Sequence, residues 1–462
     1  MTSTLDVDYL VIGAGAAGMA FTDALVGHSD DKRVAVVDRR HAAGGHWLDD
    51  YPFVRLHQAS SFYGVASTLL GEGRVQADGP EQGLHERASA PQVCDYFDRV
   101  RAALEATGRV AFHFASEHTG DEIVSRVSGR RLGVPEGCRV VDARYLAPDT
   151  PVHTPPPFAV GDGARVQPVN ALADLETSPS EFVVVGSGKT ATDACVWLLG
   201  QGVDPDRICW VRARDPWMFD RAGLQPDPAV FISMSADIFE AAAEADSPDD
   251  LFLRMEDAGV MLRIDPTTTP TMAKTPTLGR WELDLLRSIE RVVRLGHLRA
   301  VEPGRLVLDG GEHLVASDAL VVHCAASGLH YPPLVPIWQP DAIRPQPVRT
   351  GFPCFGAAVS GYVEATRQDD EDKNRVCMPS PYSNTPLDWL RMQLLGGRSS
   401  RALNAERDVK AWVDNVALNP ARVSPDRAGD PAVGAAVRRF RDSVDAGFAA
   451  MSALYETGRA GG

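Results

Sequence analysis

A chain of 462 residues exceeds one ordinary hydrophobic core, so two or three domains are expected. Its 44% hydrophobic and 23% charged residues describe a globular protein and exclude the disordered and fibrous classes. The formal net charge of −16, with no basic stripe set against it, argues against a nucleic-acid partner, and no apolar run approaches a membrane span.

The opening "MTSTLDVD" is acidic and polar where a secretory leader is basic and then apolar, so a cytoplasmic location is expected. Seven dispersed cysteines without a C-x-x-C predict reduced thiols, no dithiol site and no metal site.

In chain order, "YLVIG" reads as a buried parallel strand, "MAFTDALVGH" as a helix and "RVAVVDRR" as a second parallel strand. The turn between the first strand and the helix carries Gly13-x-Gly15-x-x-Gly18. Gly13 permits the tight turn, Gly15 lets the backbone approach a diphosphate, and Gly18 lets helix and strand pack. The helix N-terminus offers free N–H donors to an anion. Asp38 closes the second strand, where a carboxylate can take the hydroxyls of an adenosine ribose.

Further on, "APQVCDYFDRVRAALEATG" is a helix with Val93, Tyr96, Phe97, Val100 and Leu104 on one side, and "RVAFHF" a strand. Proline and glycine crowd around 146–168, marking a crossing segment. A second strand–turn–helix then begins at Phe182 with Gly186-Ser187-Gly188-Lys189-Thr190-Ala191, alanine standing at the third glycine. The glycine that a Walker loop needs upstream is Val183 here. This unit's second strand ends in "VRAR", so Arg212 and Arg214 stand where an acid would read a ribose 2′-hydroxyl; a 2′-phosphate, and hence NADPH, fits them better.

Residues 217–290 read as mainly helical, broken by "DPTTTPTMAKTPT". The whole insert, Lys274 included, is a candidate cover over the nicotinamide or substrate, the alternative being that its break is an ordinary surface loop. β character returns after Gly304, with a hairpin signal at Asp309-Gly310. The last eighty residues are helical. Their stripe Val433, Val437, Phe440, Val444, Phe448, Met451, Tyr455 predicts packing on the body of the chain, or alternatively a homodimer seam. Two dinucleotide turns on one chain have a joint explanation, a bound FAD and a visiting NADPH exchanging a hydride.

After Asp38 the chain runs Gly44-Gly45-His46-Trp47 and then "DDYPFVRLHQASSFYGV". This resembles the N-terminal signature of class B flavin-dependent monooxygenases, a group that includes flavin-containing and plant auxin-forming monooxygenases. The likeness is good over roughly residues 5–115 and 183–214. It implies an α/β fold of two nested Rossmann-like dinucleotide-binding domains, for FAD and NADPH, with a helical C-terminal segment. The corresponding boundaries are 1–180 and 298–384 for FAD, 181–297 for NADPH with its helical insert, and 385–462 for the helical end. It implies that Gly13, Gly15, Ala16, Ala17 and Gly18 face the FAD pyrophosphate, that Asp38 and Arg39 face its adenosine, and that Gly45, His46 and Trp47 line the flavin.

Gly186, Ser187, Gly188, Lys189, Thr190, Arg212 and Arg214 would then face NADPH, with Ala325 at the cofactor in "HCAASG", where the family has "ATG". The family's F-x-G-x-x-x-H signature is absent; "FAVGDGARVQPVNAL" carries no histidine. His57 falls at the family's polar position beside flavin C4a and N5. An imidazole there can donate a hydrogen bond to a peroxide or accept a proton, or it can merely order its loop. Trp47 is expected to pack under the cofactor. Cys324 is expected to be an inert buried residue, a redox thiol being the alternative.

The function so implied is NADPH- and FAD-dependent oxygenation of a small organic substrate by molecular oxygen, through a flavin C4a-hydroperoxide. The alternatives are an NADPH-dependent flavoprotein reductase or dehydrogenase that does not oxygenate, and a non-catalytic FAD-binding protein.

Overall fold

Two short runs, Tyr9–Ile12 and Phe182–Val185, are buried at every residue, and each forms an inner strand of a parallel sheet. β-branched side chains suit strands covered on both faces. The computed structural model describes residues 3–326 and 328–460. In the first sheet the order is Val110–His113, Val34–Val37, Tyr9–Ile12, Arg139–Asp142, all parallel. In the second it is Arg165–Pro168, Leu320–His323, Phe182–Val185, Ile208–Val211, Val292–Val293, again parallel.

The duplication goes further than the glycine turns. Each unit carries an antiparallel meander, Ser116–His118, Glu122–Ser125 and Arg131–Gly133 in the first, Leu298–Glu302, Arg305–Leu308 and Gly311–Leu314 in the second. The Asp309-Gly310 hairpin joins the last two strands as expected. The stretch 298–323, read from sequence with the return into the first unit, lies with the second. Leu320–His323 pairs with Phe182–Val185, and Leu298, Val301, Leu306 and Leu308 share one core with Val183, Val185 and Cys209.

The 217–290 segment is helical over Pro228–Glu244, Pro248–Asp257 and Arg280–Arg287, but it also holds a small sheet, Met261–Arg263, Trp217–Asp220 and Thr277–Leu278. Runs of two to four buried apolar residues carry no period that separates strand from helix.

Back in the first unit, helix Pro353–Thr366 crosses helix Ala16–Gly27 so closely that a Cβ on Gly361 would sit 2.3 Å from the Phe21 carbonyl oxygen. The buried Glu364 of that helix accepts from Tyr9 Oη (2.7 Å), Arg139 Nη1 (2.8 Å), Trp338 Nε1 (2.7 Å) and Lys373 Nζ (2.7 Å), tying it to two strands of the first sheet. The long helix Pro431–Ala460 uses its apolar stripe within the chain, against helix Pro228–Glu244, with Phe440 edge-on to Phe239 at 5.7 Å. Among the described residues no helix is long and apolar enough to cross a membrane.

At the crossing of these two helices a Cβ on Gly447 would meet the Phe239 carbonyl oxygen at 2.3 Å. Gly447→Val should therefore destabilise the protein by about 1–3 kcal/mol. Gly434→Ala, in the same helix with no backbone near, should stabilise it by up to about 1 kcal/mol. Urea unfolding midpoints of the two variants moving together would refute the close crossing.

Candidate functional site

The two glycine turns open into one cavity of about 1060 Å³. That is at or above the upper end of pockets that hold one drug-sized ligand, roughly 300–1,000 Å³. Gly15, Ala16 and Ala17 line it from one side, Gly186, Ser187, Gly188, Lys189 and Thr190 from the other. Neither Gly15 nor Gly188, the residues capping helices Ala16–Gly27 and Lys189–Gly200, makes a side-chain cap, so both N-termini present backbone donors and a positive dipole end.

The turns themselves need their glycines. A Cβ on Gly18 would fall 1.9 Å from the Gly13 carbonyl oxygen, so only glycine lets this helix sit on this strand. Gly45, at φ +61°, lies against Gly15 backbone to backbone, 2.9 Å from Gly15 Cα to its would-be Cβ. The second turn is braced by Cys324, whose carbonyl oxygen would be 3.0 Å from a Cβ on Gly186. The Cys324 thiol is buried and pushed far up in pKa by that burial, which describes an inert side chain.

Asp38 is buried; its Oδ2 accepts from the Ala14 N–H at 2.7 Å and its Oδ1 from the Arg40 N–H at 2.8 Å. It thus fixes the turn to the end of the second strand. Neither it nor the exposed Arg39 lines the cavity, and nor do Gly13, Gly18 or Gly45. The arginines of "VRAR" separate. Arg212 is 2% exposed, lies over the Trp210 ring at 4.7 Å, pairs with Asp215 at 3.1 Å and stays outside the cavity. Arg214 lines it, held by Nη2 donating to the Thr271 carbonyl (2.7 Å) and the Asn384 carbonyl (3.0 Å). Lys274 lines it too, with its pKa lowered by burial and by Arg214. Ala325 is also in the wall.

His57 reaches the cavity from a loop fixed at its backbone. Its carbonyl accepts from Arg221 Nε at 3.1 Å and from Thr277 Oγ1, and its Nδ1 accepts from the Thr277 N–H at 3.4 Å. Arg221 belongs to a buried box of four charges. It pairs with Glu81 and, at 2.6 Å, with Glu282, while Arg87 pairs with Glu81. Burial favours a neutral Glu81, but the two guanidiniums prevail and hold its carboxyl down at about 2. Burial, with Lys189, Arg221 and Arg87 nearby, lowers the His57 pKa to about 3. His57 is therefore a neutral imidazole near neutral pH, with Nδ1 accepting from Thr277 and Nε2 left to donate.

Trp47 is buried, with Nε1 donating to Tyr63 Oη at 2.6 Å, and its ring lines the cavity as expected of a packing residue. His46 beside it, lowered to about 4 by burial and then Arg40, lies 3.8 Å from Asp50. Asp50 was not singled out from sequence. It lines the cavity, and burial together with the Asp193 carboxylate raises its pKa to about 7 in spite of Lys189. Asp193 is clamped by Lys189 Nζ and by Tyr51 Oη at 2.7 Å. The Lys189/Asp193 spacing of four on a helix was the available signal.

Residues 11–55 match the NAD(P)-binding Rossmann-like domain family. Over 421 residues, 90% of this chain and 78% of its relative, the sequence is 42% identical to uncharacterised protein Rv2000 of Mycobacterium tuberculosis strain H37Rv. MymA of the same organism, named as a candidate FAD-containing monooxygenase, is 30% identical over 191 residues, 40% of this chain and 37% of MymA. The epsilon-caprolactone-bound crystal structure of cyclohexanone monooxygenase in the Loose conformation shares the fold. It has a TM-score of 0.51 at 14% identity, over 88% of this chain and 98% of that one. The chain belongs to the family of Rv2000.

Because the folded protein holds the Asp50 proton up to about pH 7 and the unfolded chain releases it near 3.8, Asp50 costs stability as pH rises through that window. Asp50→Asn should match the parent near pH 4 and exceed it by about 2–4 kcal/mol above pH 7, as measured by urea unfolding. A difference independent of pH would remove Asp50 from this role.

Proposed function

We propose that this member of the Rv2000 family is an NADPH- and FAD-dependent oxidoreductase that oxygenates a small organic substrate. The observation that carries the reading is the single cavity onto which both helix N-termini open. A glycine turn that tolerates no Cβ, braced from beneath by Asp38, and an uncapped helix fit a FAD diphosphate. The uncapped second helix, with Arg214 anchored beside it, fits a nicotinamide dinucleotide carrying a 2′-phosphate. The likeness to MymA and the fold shared with cyclohexanone monooxygenase support the same reading.

FAD and NADPH would supply the hydride transfer and oxygen activation that no side chain here can perform. The protein's own residues would do the rest. The backbone donors of Ala16 and Ala17 hold one diphosphate, and those of Lys189 and Thr190 the other. Trp47 and Tyr63 pack the flavin side and exclude water. His57 Nε2–H offers a hydrogen bond without a charge, and Asp50 holds a proton in the same cavity. Arg212 is assigned a structural role, its charge being met by Asp215 and Trp210.

His57→Ala should leave anaerobic flavin reduction by NADPH intact while the share of electrons recovered as hydrogen peroxide rises severalfold. If the parent already returns every electron as peroxide with all substrates offered, the protein is a reductase or oxidase. Arg214→Ala should raise KM for NADPH about 10- to 100-fold, the worth of a charge-assisted hydrogen bond, with kcat and KM for NADH little changed. Equal losses with NADH would assign Arg214 to the fold alone.

A further inference from the structure

Beyond the two turns, the cavity extends along one face of helix Pro228–Glu244. Phe231, Met234, Ser235, Ile238 and Phe239 line it, spaced i, i+3, i+4, i+7 and i+8. The stripe is about 12 Å long. A stripe of this kind usually meets another helix. Here the neighbouring helix Pro431–Ala460 packs on the Phe239 end of the stripe through Gly447 and Phe440, and Phe231, Met234 and Ile238 are left facing the cavity.

Phe352 stands across from it in contact with Phe231, ring centroids 6.2 Å apart, and Met392 and Gln393 of helix Pro386–Ala405 add a further wall. Neither helix gives the cavity a charged side chain; its ionisable residues come from the turns and the other segments. The one hydroxyl of the stripe, on Ser235, is spent on the Phe231 carbonyl at 2.9 Å. The half-buried Gln393 carboxamide has no hydrogen-bond partner among the described residues.

We infer that this arm binds an uncharged, elongated aliphatic molecule bearing a hydrogen-bonding oxygen, the hydrocarbon lying along Phe231, Met234 and Ile238 and the oxygen meeting Gln393. The inference rests on the proposed oxidoreductase reading in taking this molecule as substrate, but the binding itself does not depend on it. A carboxylate placed against this stripe would lose its hydration with no cation in either helix to replace it, whereas an alcohol oxygen loses little and gains the carboxamide.

The test is isothermal titration calorimetry of the full chain as purified, with 1-octanol, 1-decanol and decanoate at pH 8. One-to-one binding is expected, tightening about fourfold per added methylene. Decanoate should bind at least about tenfold more weakly than 1-decanol. Ile238→Ala should weaken 1-decanol about tenfold or more, and Gln393→Leu about three- to tenfold without altering the increment per methylene. Affinity independent of chain length, decanoate binding as well as decanol, or uptake of several molecules per chain would overturn the proposal. Should either variant misfold, the other together with the chain-length series decides. Anaerobic NADPH addition to the same preparation separates the two readings. Alkanol binding without flavin reduction keeps the arm and fells the oxidoreductase, and reduction without alkanol binding does the reverse.

Discussion

The candidate site depends on four charges withdrawn from the surface. Glu81, Arg87, Arg221 and Glu282 are between 1% and 8% exposed, two of each sign. Any one of them alone in that place would be expelled or neutralised, and removing one typically costs about 3–5 kcal/mol because its partner is left buried and unpaired. Arg221 is the pivot. One guanidinium reaches Glu81 in the segment after the glycine-rich loop, Glu282 at the start of helix Arg280–Arg287, and the carbonyl of His57. The loop bearing His57 and the inserted small sheet, which Arg221 directly follows, are thereby one body. Four apolar residues of matching volume could fill the same space, but none would hold that carbonyl, so the box sets position more than stability.

Burial then acts on the ionisable groups around the cavity in a common direction, toward neutrality. It lowers His57 to about 3 and His46 to about 4, and raises Asp50 to about 7 and the Cys324 thiol beyond reach. Near neutral pH the wall therefore offers neutral imidazoles and a partly protonated Asp50, with Lys189 and Asp193 paired off against each other. A surface of that kind can hold or pass a proton without carrying the net charge that would draw water in.

What could be read from the sequence follows the physical reach of each signal. The glycine turns were legible because the requirement is local: Gly18 has no room for a Cβ against Gly13, and four or five neighbouring residues suffice to say so. The stripe on Pro431–Ala460 was legible by its period, and so was its partner in kind, the body of the chain. Arg212 is less legible, because a strand-end arginine looks the same whether it faces a phosphate or turns onto Trp210 and Asp215. Asp50 gives no signal in the sequence, since its neighbour Asp193 lies far along the chain. The membership of Leu320–His323 in the second sheet likewise depends on a pairing between distant segments, and the strands of the first meander, three or four residues each, are too short to show a period.

The two dinucleotide units are near-duplicates in turn, sheet and meander, and a duplicated scaffold cannot by itself choose a substrate. Choice has to come from what was added. Helix Pro228–Glu244 lies in the insert to the second unit, and Gln393 in the C-terminal helices. The crossing at Gly447 and Phe239 sets where that helix lies against the C-terminal helix. Helices Pro228–Glu244 and Pro386–Ala405 lend the cavity uncharged side chains, while its ionisable ones come from the second turn and from other segments, Lys274 of the insert among them. The division has a physical reason. On the proposed function the cavity must be polar where anionic diphosphates arrive and dry where an oxygen-derived reagent would otherwise meet water, and segments of separate origin in the chain can meet those two demands independently.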